Sequence, residues 1–286
     1  MKTRINVRTA FLQVLALVIM CSVTFPAHAV DAVITDQKGV KSSVSGLRAH
    51  RTDNCKGFTY YLGTATETDT DFDSIFLAVD DGQYQLQIPL DIIKSVTPRQ
   101  TDTKNTSSRM SEQWSVLLSD GTTLLGKPII FLDFKGQTEL GDFTIPLANV
   151  AQLSFPSPKT SHHAKANGNR SVTLYATETD QMSLTGANFI YEDKNRNGCF
   201  EGFEYKDNIE FVTEGGTKYQ VTWDKIHELR FATHSASIQL VAPSGTEYTG
   251  QVNALGVEGV KRIGAFDLHI VVPFASTAKK LTVDKK

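Results

Sequence analysis

The stretch DKNRNGCFEGFE at 193–204 holds the residue types and spacing of a loop that binds a hard cation through oxygen. Asp193, Asn195 and Asn197 stand at positions 1, 3 and 5 and offer side-chain oxygens. Gly198 at position 6 permits the sharp bend, and Cys199 at position 7 lends only its backbone carbonyl. Glu204 at position 12 supplies the closing carboxylate. The expected ion is calcium, held weakly at roughly 10⁻⁴–10⁻³ M, because two asparagines replace charged ligands. The competing reading is shorter: Asn-Gly alone is a strong signal for a two-residue hairpin turn. The flanks NFIY and EYKDNIEFV alternate like strands, so the ion would sit between strands and not in an EF-hand. A poorer version, DTDFDSIFLAVD at 69–80, has Ser74 where the glycine belongs.

Two cysteines outside the N-terminal apolar run, Cys55 and Cys199, have matching surroundings, CKGFTY and CFEGFEY. In an oxidising compartment they are expected to form a disulfide, and Cys199 can do so while its carbonyl serves the cation. The histidines give less. His162-His163 falls in a polar stretch, and His227, His234 and His269 do not recur at ligand spacing. His227-Glu228 opens like a zinc-protease helix, but Phe231 stands where the second histidine is needed. No Gly-x-Ser-x-Gly elbow, P-loop or Cys-x-x-Cys is present, so no catalytic residue is assigned. Trp223 reads as core, and the neighbouring Tyr60 and Tyr61 would face opposite sides of a strand.

These groups must be positioned by strands. Glycine, threonine and β-branched residues are frequent and long helical periodicities are missing, which predicts an all-β fold with short turns and little helix. Residues 1–29 read as a secretory signal: Lys2, Arg4 and Arg8, an apolar run from Phe11 to Met20, then Ala27-His28-Ala29 for cleavage. Lipidation at Cys21 is the alternative, opposed by the large Met20 before it. The run is too short to span a membrane, and no later segment approaches the necessary length. The implied location is the periplasm or the cell exterior. Beyond residue 29 the chain has 26 Lys and Arg against 31 Asp and Glu, a net charge of −5 with no basic stripe. Nucleic acid is therefore an unsuitable partner.

The strongest organisational signal is an internal repeat. Four times a strand-like run and a turn lead to an apolar triad, usually with central proline: Ile88-Pro89-Leu90, Ile145-Pro146-Leu147, Val221-Thr222-Trp223 and Val272-Pro273-Phe274. The turn glycines Gly82, Gly121, Gly216 and Gly245 precede the triads by 6, 24, 5 and 27 positions, so short and long forms alternate. The long forms share GQTELGDF (136–143) with GVKRIGAF (259–266), and a glycine five positions after the turn, Gly126 and Gly250. Four small β units in an A-B-A′-B′ tandem duplication follow. The expected boundaries are an N-terminal extension at 30–54, a first pair of units at 55–155, a linker at 156–170 and a second pair at 171–284. Strand–turn–strand units closed by an Ile-Pro turn resemble Sm-like or SH3-like small barrels in bacterial secreted proteins. The resemblance implies a fold type and carries no activity.

The expected role is a secreted, non-catalytic binding or assembly module of the bacterial envelope, calcium-stabilised, whose partner is an envelope protein or a surface glycan. The alternative is a secreted hydrolase whose catalytic residues are scattered in sequence. A deep pocket with convergent acid, base and nucleophile separates the second from the first.

Overall fold

The computed structural model describes residues 30–55, 66–79, 84–99, 113–129, 133–166, 168–175, 181–194, 200–231, 237–274 and 279–284. These residues form 22 strands, all paired antiparallel, and their helical segments are single 3₁₀ turns. The fold is all-β, as the composition predicts. No helix among the described residues is long and apolar enough to cross a membrane.

The first half holds β1 (Val30–Asp36), β2 (Lys41–Cys55), β3 (Thr66–Phe72), β4 (Ser74–Val79), β5 (Tyr84–Pro89) and β6 (Ile93–Arg99). It continues with β7 (Gln113–Leu118), β8 (Thr123–Ile129), β9 (Asp133–Thr138), β10 (Gly141–Pro146) and β11 (Val150–Ser154). The second half opens with β12 (Val172–Tyr175), β13 (Gln181–Lys194), β14 (Phe200–Lys206), β15 (Asn208–Thr213), β16 (Lys218–Thr222) and β17 (Glu228–Phe231). It closes with β18 (Ser237–Val241), β19 (Glu247–Val252), β20 (Gly256–Ile263), β21 (Phe266–Pro273) and β22 (Lys280–Val283).

Traced through shared strands, the sheet is one ribbon. Its order in the first half is β10-β9-β2-β1-β11-β6-β7-β8-β4-β5. The second half continues β21-β20-β13-β12-β22-β17-β18-β19-β15-β16. The β5–β21 ladder joins them, while β3 pairs with β2 and β14 with β13. Each ladder within the first half thus has a counterpart, in the same order, within the second. Residues 30–54 are not an appendage to this pattern: they form β1 and nearly all of β2, which pair with β11, β9 and β3.

The sequence motifs have visible jobs in this ribbon. Proline cannot donate to a ladder, so β5, β10 and β21 end on Pro89, Pro146 and Pro273. Single 3₁₀ turns follow β5, β10 and β16 at Leu90–Ile92, Leu147–Asn149 and Trp223–Lys225, the last after Thr222 in place of a proline. Gly126 of β8 and Gly250 of β19 mark close crossings. A Cβ on Gly126 would stand 2.7 Å from the Ala78 carbonyl oxygen, and one on Gly250 2.2 Å from that of Val212. Strand periodicity places the core. Trp114, Val116 and Leu118 alternate inward along β7, and Phe266, Leu268, Ile270 and Val272 along β21. β4 is buried on both faces and reads as the unbroken run SIFLAV. The two tryptophans lie in the core. Trp223 stacks on Phe189 with centroids 4.0 Å apart, and Trp114 on Phe134 at 6.3 Å.

Candidate functional site

The ladder between the halves lies beside a cleft of about 410 Å³. Its walls come from four segments: Val30 at the start of β1, residues of β4 and β5 with the turn after β5, the linker 159–165, and His269 of β21. Gln87 of β5 lies directly opposite His269 of β21, so the two halves each place a polar side chain on one row. Gln87 donates to the Ser74 hydroxyl at 3.3 Å, and that hydroxyl donates to Asp73 Oδ1 at 3.0 Å. Ser74 is buried, and its hydroxyl is held between the Gln87 amide and the Asp73 carboxylate.

The linker is held against the cleft by both halves. The Lys159 ammonium lies 2.7 Å from Asp91 Oδ2, and the Lys159 amide donates to the Asp91 carbonyl. On the other side the Asp267 amide donates to the His162 carbonyl, and the Ala164 amide donates back to the Asp267 carbonyl. His163 Nδ1 lies 2.7 Å from Asp267 Oδ2. Residues 162–164 thus extend the β21 edge beyond the ladder with β5.

Electrostatics distinguish the groups in the cleft. Burial pushes the His162 pKa below its ordinary value of 6.5; Asp91 opposes this, and His269, Lys159 and His163 add to it. Asp91 Oδ1 is buried and accepts no hydrogen bond among the described residues, so it favours an added donor. Beneath the cleft His269 Nδ1 bonds the carboxylate of Glu258, which is 1% exposed. On the far side, burial and the charge of Glu258 push the Tyr205 hydroxyl up to about 12. A buried carboxylate behind a histidine orients that ring, as a general base requires. The row of Gln87 and His269 equally suits hydrogen bonding to a polar ligand.

The residues singled out by sequence fall elsewhere. β13 and β14 pair from Phe189 opposite Lys206 to Lys194 opposite Phe200, with a bulge after Asp193. Residues 193–194 and 200–204 therefore lie on two paired strands: Asp193 stands opposite Gly202 across the ladder, and Glu204 opposite Tyr191. Asn195, Asn197 and Cys199 lie outside the described residues. Glu204 pairs with Lys206 at 2.9 Å, and that ammonium also sits over the Tyr191 ring. Among the described residues no cluster of three or more His, Cys, Asp and Glu side chains could hold a metal ion. Cys55 ends β2 opposite Thr66, and Cys199 directly precedes β14. In the poorer acidic stretch the side chains diverge: Asp71 bonds His50 at 2.7 Å, while Asp73 turns to the cleft.

Sequence reasoning passed over the cleft because its members are distant in the chain. His163 and Asp267 are 104 residues apart. The available signal was a pair of histidines inside a linker otherwise rich in Ser, Asn and Pro. No family model, curated protein or solved structure matches this chain.

Proposed function

We propose that the protein is a secreted, non-catalytic binding module of the bacterial envelope, exported by residues 1–29, that takes a polyhydroxylated ligand such as a surface glycan in the inter-half cleft. The observation that carries this reading is the convergence of Gln87, His269, Asp91 and His162 from three segments on one open cavity. Cavities of this size with a few convergent polar groups are what small-ligand sites look like. Asp91 Oδ1 adds an acceptor that a ligand hydroxyl would satisfy. The test is calorimetric titration of the mature chain with envelope oligosaccharides. Binding should weaken at least tenfold in Asp91→Asn and in His162→Ala, and a ligand bound equally by both variants would place the site elsewhere.

A secreted hydrolase is the second reading, favoured by the Glu258–His269 pair. It needs a nucleophile or an activated water beside His269, and Ser74 is already bonded to Asp73 and Gln87. Hydrolysis of any titrated oligosaccharide, lost in His269→Ala, would replace the binding proposal.

The reading extends to a bridge between Cys55 and Cys199 and to calcium at 193–204. The bridge rests on the matching sequence contexts of Cys55 and Cys199, CKGFTY and CFEGFEY. The shared ladder pattern of the two halves fits a tandem duplication.

A further inference from the structure

The β5–β21 ladder is heterologous: it uses one edge of the first half and a different edge of the second. In the matched order of ladders, β5 corresponds to β16 and β21 corresponds to β10. The two strands equivalent to the joined pair are therefore the two ends of the ribbon. Among the described residues β10 pairs only with β9 and β16 only with β15. We propose that β16 of one copy pairs antiparallel with β10 of a second copy, repeating between molecules the ladder that joins the halves within one. The occupant of each edge is this same chain. The proposal rests on the strand pairings and is independent of any ligand in the cleft.

Residue correspondence follows from the closing triads, which align Pro273 with Pro146 and Pro89 with Thr222. Gln87 opposite His269 becomes Gln220 opposite Asp142. Leu86 opposite Ile270 becomes Tyr219 opposite Phe143, and Gln85 opposite Val271 becomes Lys218 opposite Thr144. The chemistry suits such a ladder. Tyr219, 46% exposed, meets a second aromatic ring across the strands. Lys218 and Asp142 come to diagonal positions on one face with opposite charge. Lys218, Tyr219, Gln220, Asp142 and Thr144 are all exposed.

Backbone polarity agrees. Across β9–β10 the two-residue turn makes Thr138 and Gly141 the first bonded pair, so Asp142 and Thr144 turn their amides and carbonyls outward. The same counting turns Asp267 of β21 outward, and its amide does donate to the linker. On β16, the Thr213 amide bonds to the Thr217 carbonyl, which puts Lys218 and Gln220 outward. Open edges are often blunted with proline and lysine. Here the blunting argument fails for proline, because Pro89 and Pro273 end the two strands of the ladder that does form and lie outside its three pairs. The turn contact also has an equivalent. Asp120 of the β7–β8 turn accepts the amide of Ala265 at the tip of the β20–β21 hairpin. By correspondence Ser244 would reach the β9–β10 tip, where Leu140 is 94% exposed.

A heterologous contact that does not close builds open chains. Sedimentation velocity of the mature chain from micromolar to millimolar concentration should show mass rising through dimer to longer species. Thr144→Pro and Gln220→Pro each remove one outward amide that no described strand of the same chain uses, so each variant alone should stay monomeric. Mixed in equal amounts they should stop at a dimer, since each supplies the edge the other lacks. Unchanged circular dichroism and urea midpoints check that both variants fold. Hydrogen exchange of the unsubstituted chain gives a second readout: the Thr144 and Gln220 amides should gain protection as concentration rises, and amides along β3 and β14 should not. A monomer at every concentration, association by both variants alone, or protection confined to other strands would each overturn the proposal.

Discussion

Gln87 and His269 stand opposite each other on the single described ladder that joins the two halves. That ladder is short, with three register pairs, and is braced at its far end by Asp120 Oδ2, which accepts the Ala265 amide at 2.7 Å. Halves that share so few backbone pairs should depend on such braces for their relative position.

Gly264 tests the brace. It has a φ of +59°, and a Cβ there would stand 2.2 Å from Asp120 Oδ2 and 2.3 Å from the Thr122 hydroxyl. Gly264→Ala combines left-handed backbone strain of about 1–2 kcal/mol with displacement of the Asp120 carboxylate. Urea unfolding should show the loss, and limited proteolysis should show faster cleavage within 156–166. An unchanged midpoint and cleavage rate would mean the tip contact contributes nothing.

Trp223 tests the core. It is 3% exposed and stacks on Phe189 with rings 10° from parallel. Trp223→Ala should cost roughly 3–5 kcal/mol, as large-to-small changes at buried aromatic sites do. Denaturant titration measures it, and a loss below about 1 kcal/mol would contradict a packed role.

How much of this was legible in the sequence depends on the range of the interaction. Ile88 and Leu90, named from the first repeat triad, are fully buried, because strand periodicity and the proline stop are local properties. Gly126 and Gly250 stood out as matched glycines, and the structure supplies the reason, a carbonyl too near for any Cβ. The integral place of residues 30–54 was not legible. β1 pairs with β11 across more than a hundred residues, and nothing in VDAVITD names its partner. The cleft was hidden for the same cause. His162 and His269 look unremarkable until β5 and β21 pair.

His162 gives a pH prediction. Its pKa is lowered in the folded chain, chiefly by burial, with Asp91 opposing and the His269, Lys159 and His163 charges assisting. The folded state then binds fewer protons than the unfolded chain just below the ordinary histidine value of 6.5. Stability from this group is intact above that value and falls as pH drops toward the folded pKa. Urea midpoints at about pH 8 and about pH 5.5 should differ more in the natural chain than in His162→Asn. Equal differences would remove His162 as the source.

The cysteines give a second chemical test. A bridge between Cys55 and Cys199 closes a loop worth about 4–5 kcal/mol in the chain-entropy model, with real bridges often delivering less. Thiol labelling of the unfolded, unreduced mature chain should find no free cysteine. Two labelled thiols would end the assignment.

The hairpin of β13 and β14 carries the last prediction, because it sets a cation loop against a turn. The ladder holds Asp193 opposite Gly202 and Glu204 opposite Tyr191. Glu204 already has a cation beside it, the Lys206 ammonium at 2.9 Å, in an ion pair of two partly exposed side chains. An exposed pair of this kind contributes about 0–1 kcal/mol, little enough for a divalent ion to displace. At tenfold excess over its dissociation constant, calcium bound only by the folded chain adds about 1.4 kcal/mol. Thermal melts in millimolar calcium and in EDTA should then differ, and Asp193→Ala or Glu204→Gln should abolish the difference. Lys206→Ala separates the two readings further. It frees Glu204, so it should widen the calcium effect if the loop binds, and should lower stability equally in both buffers if Asn197-Gly198 is only a turn.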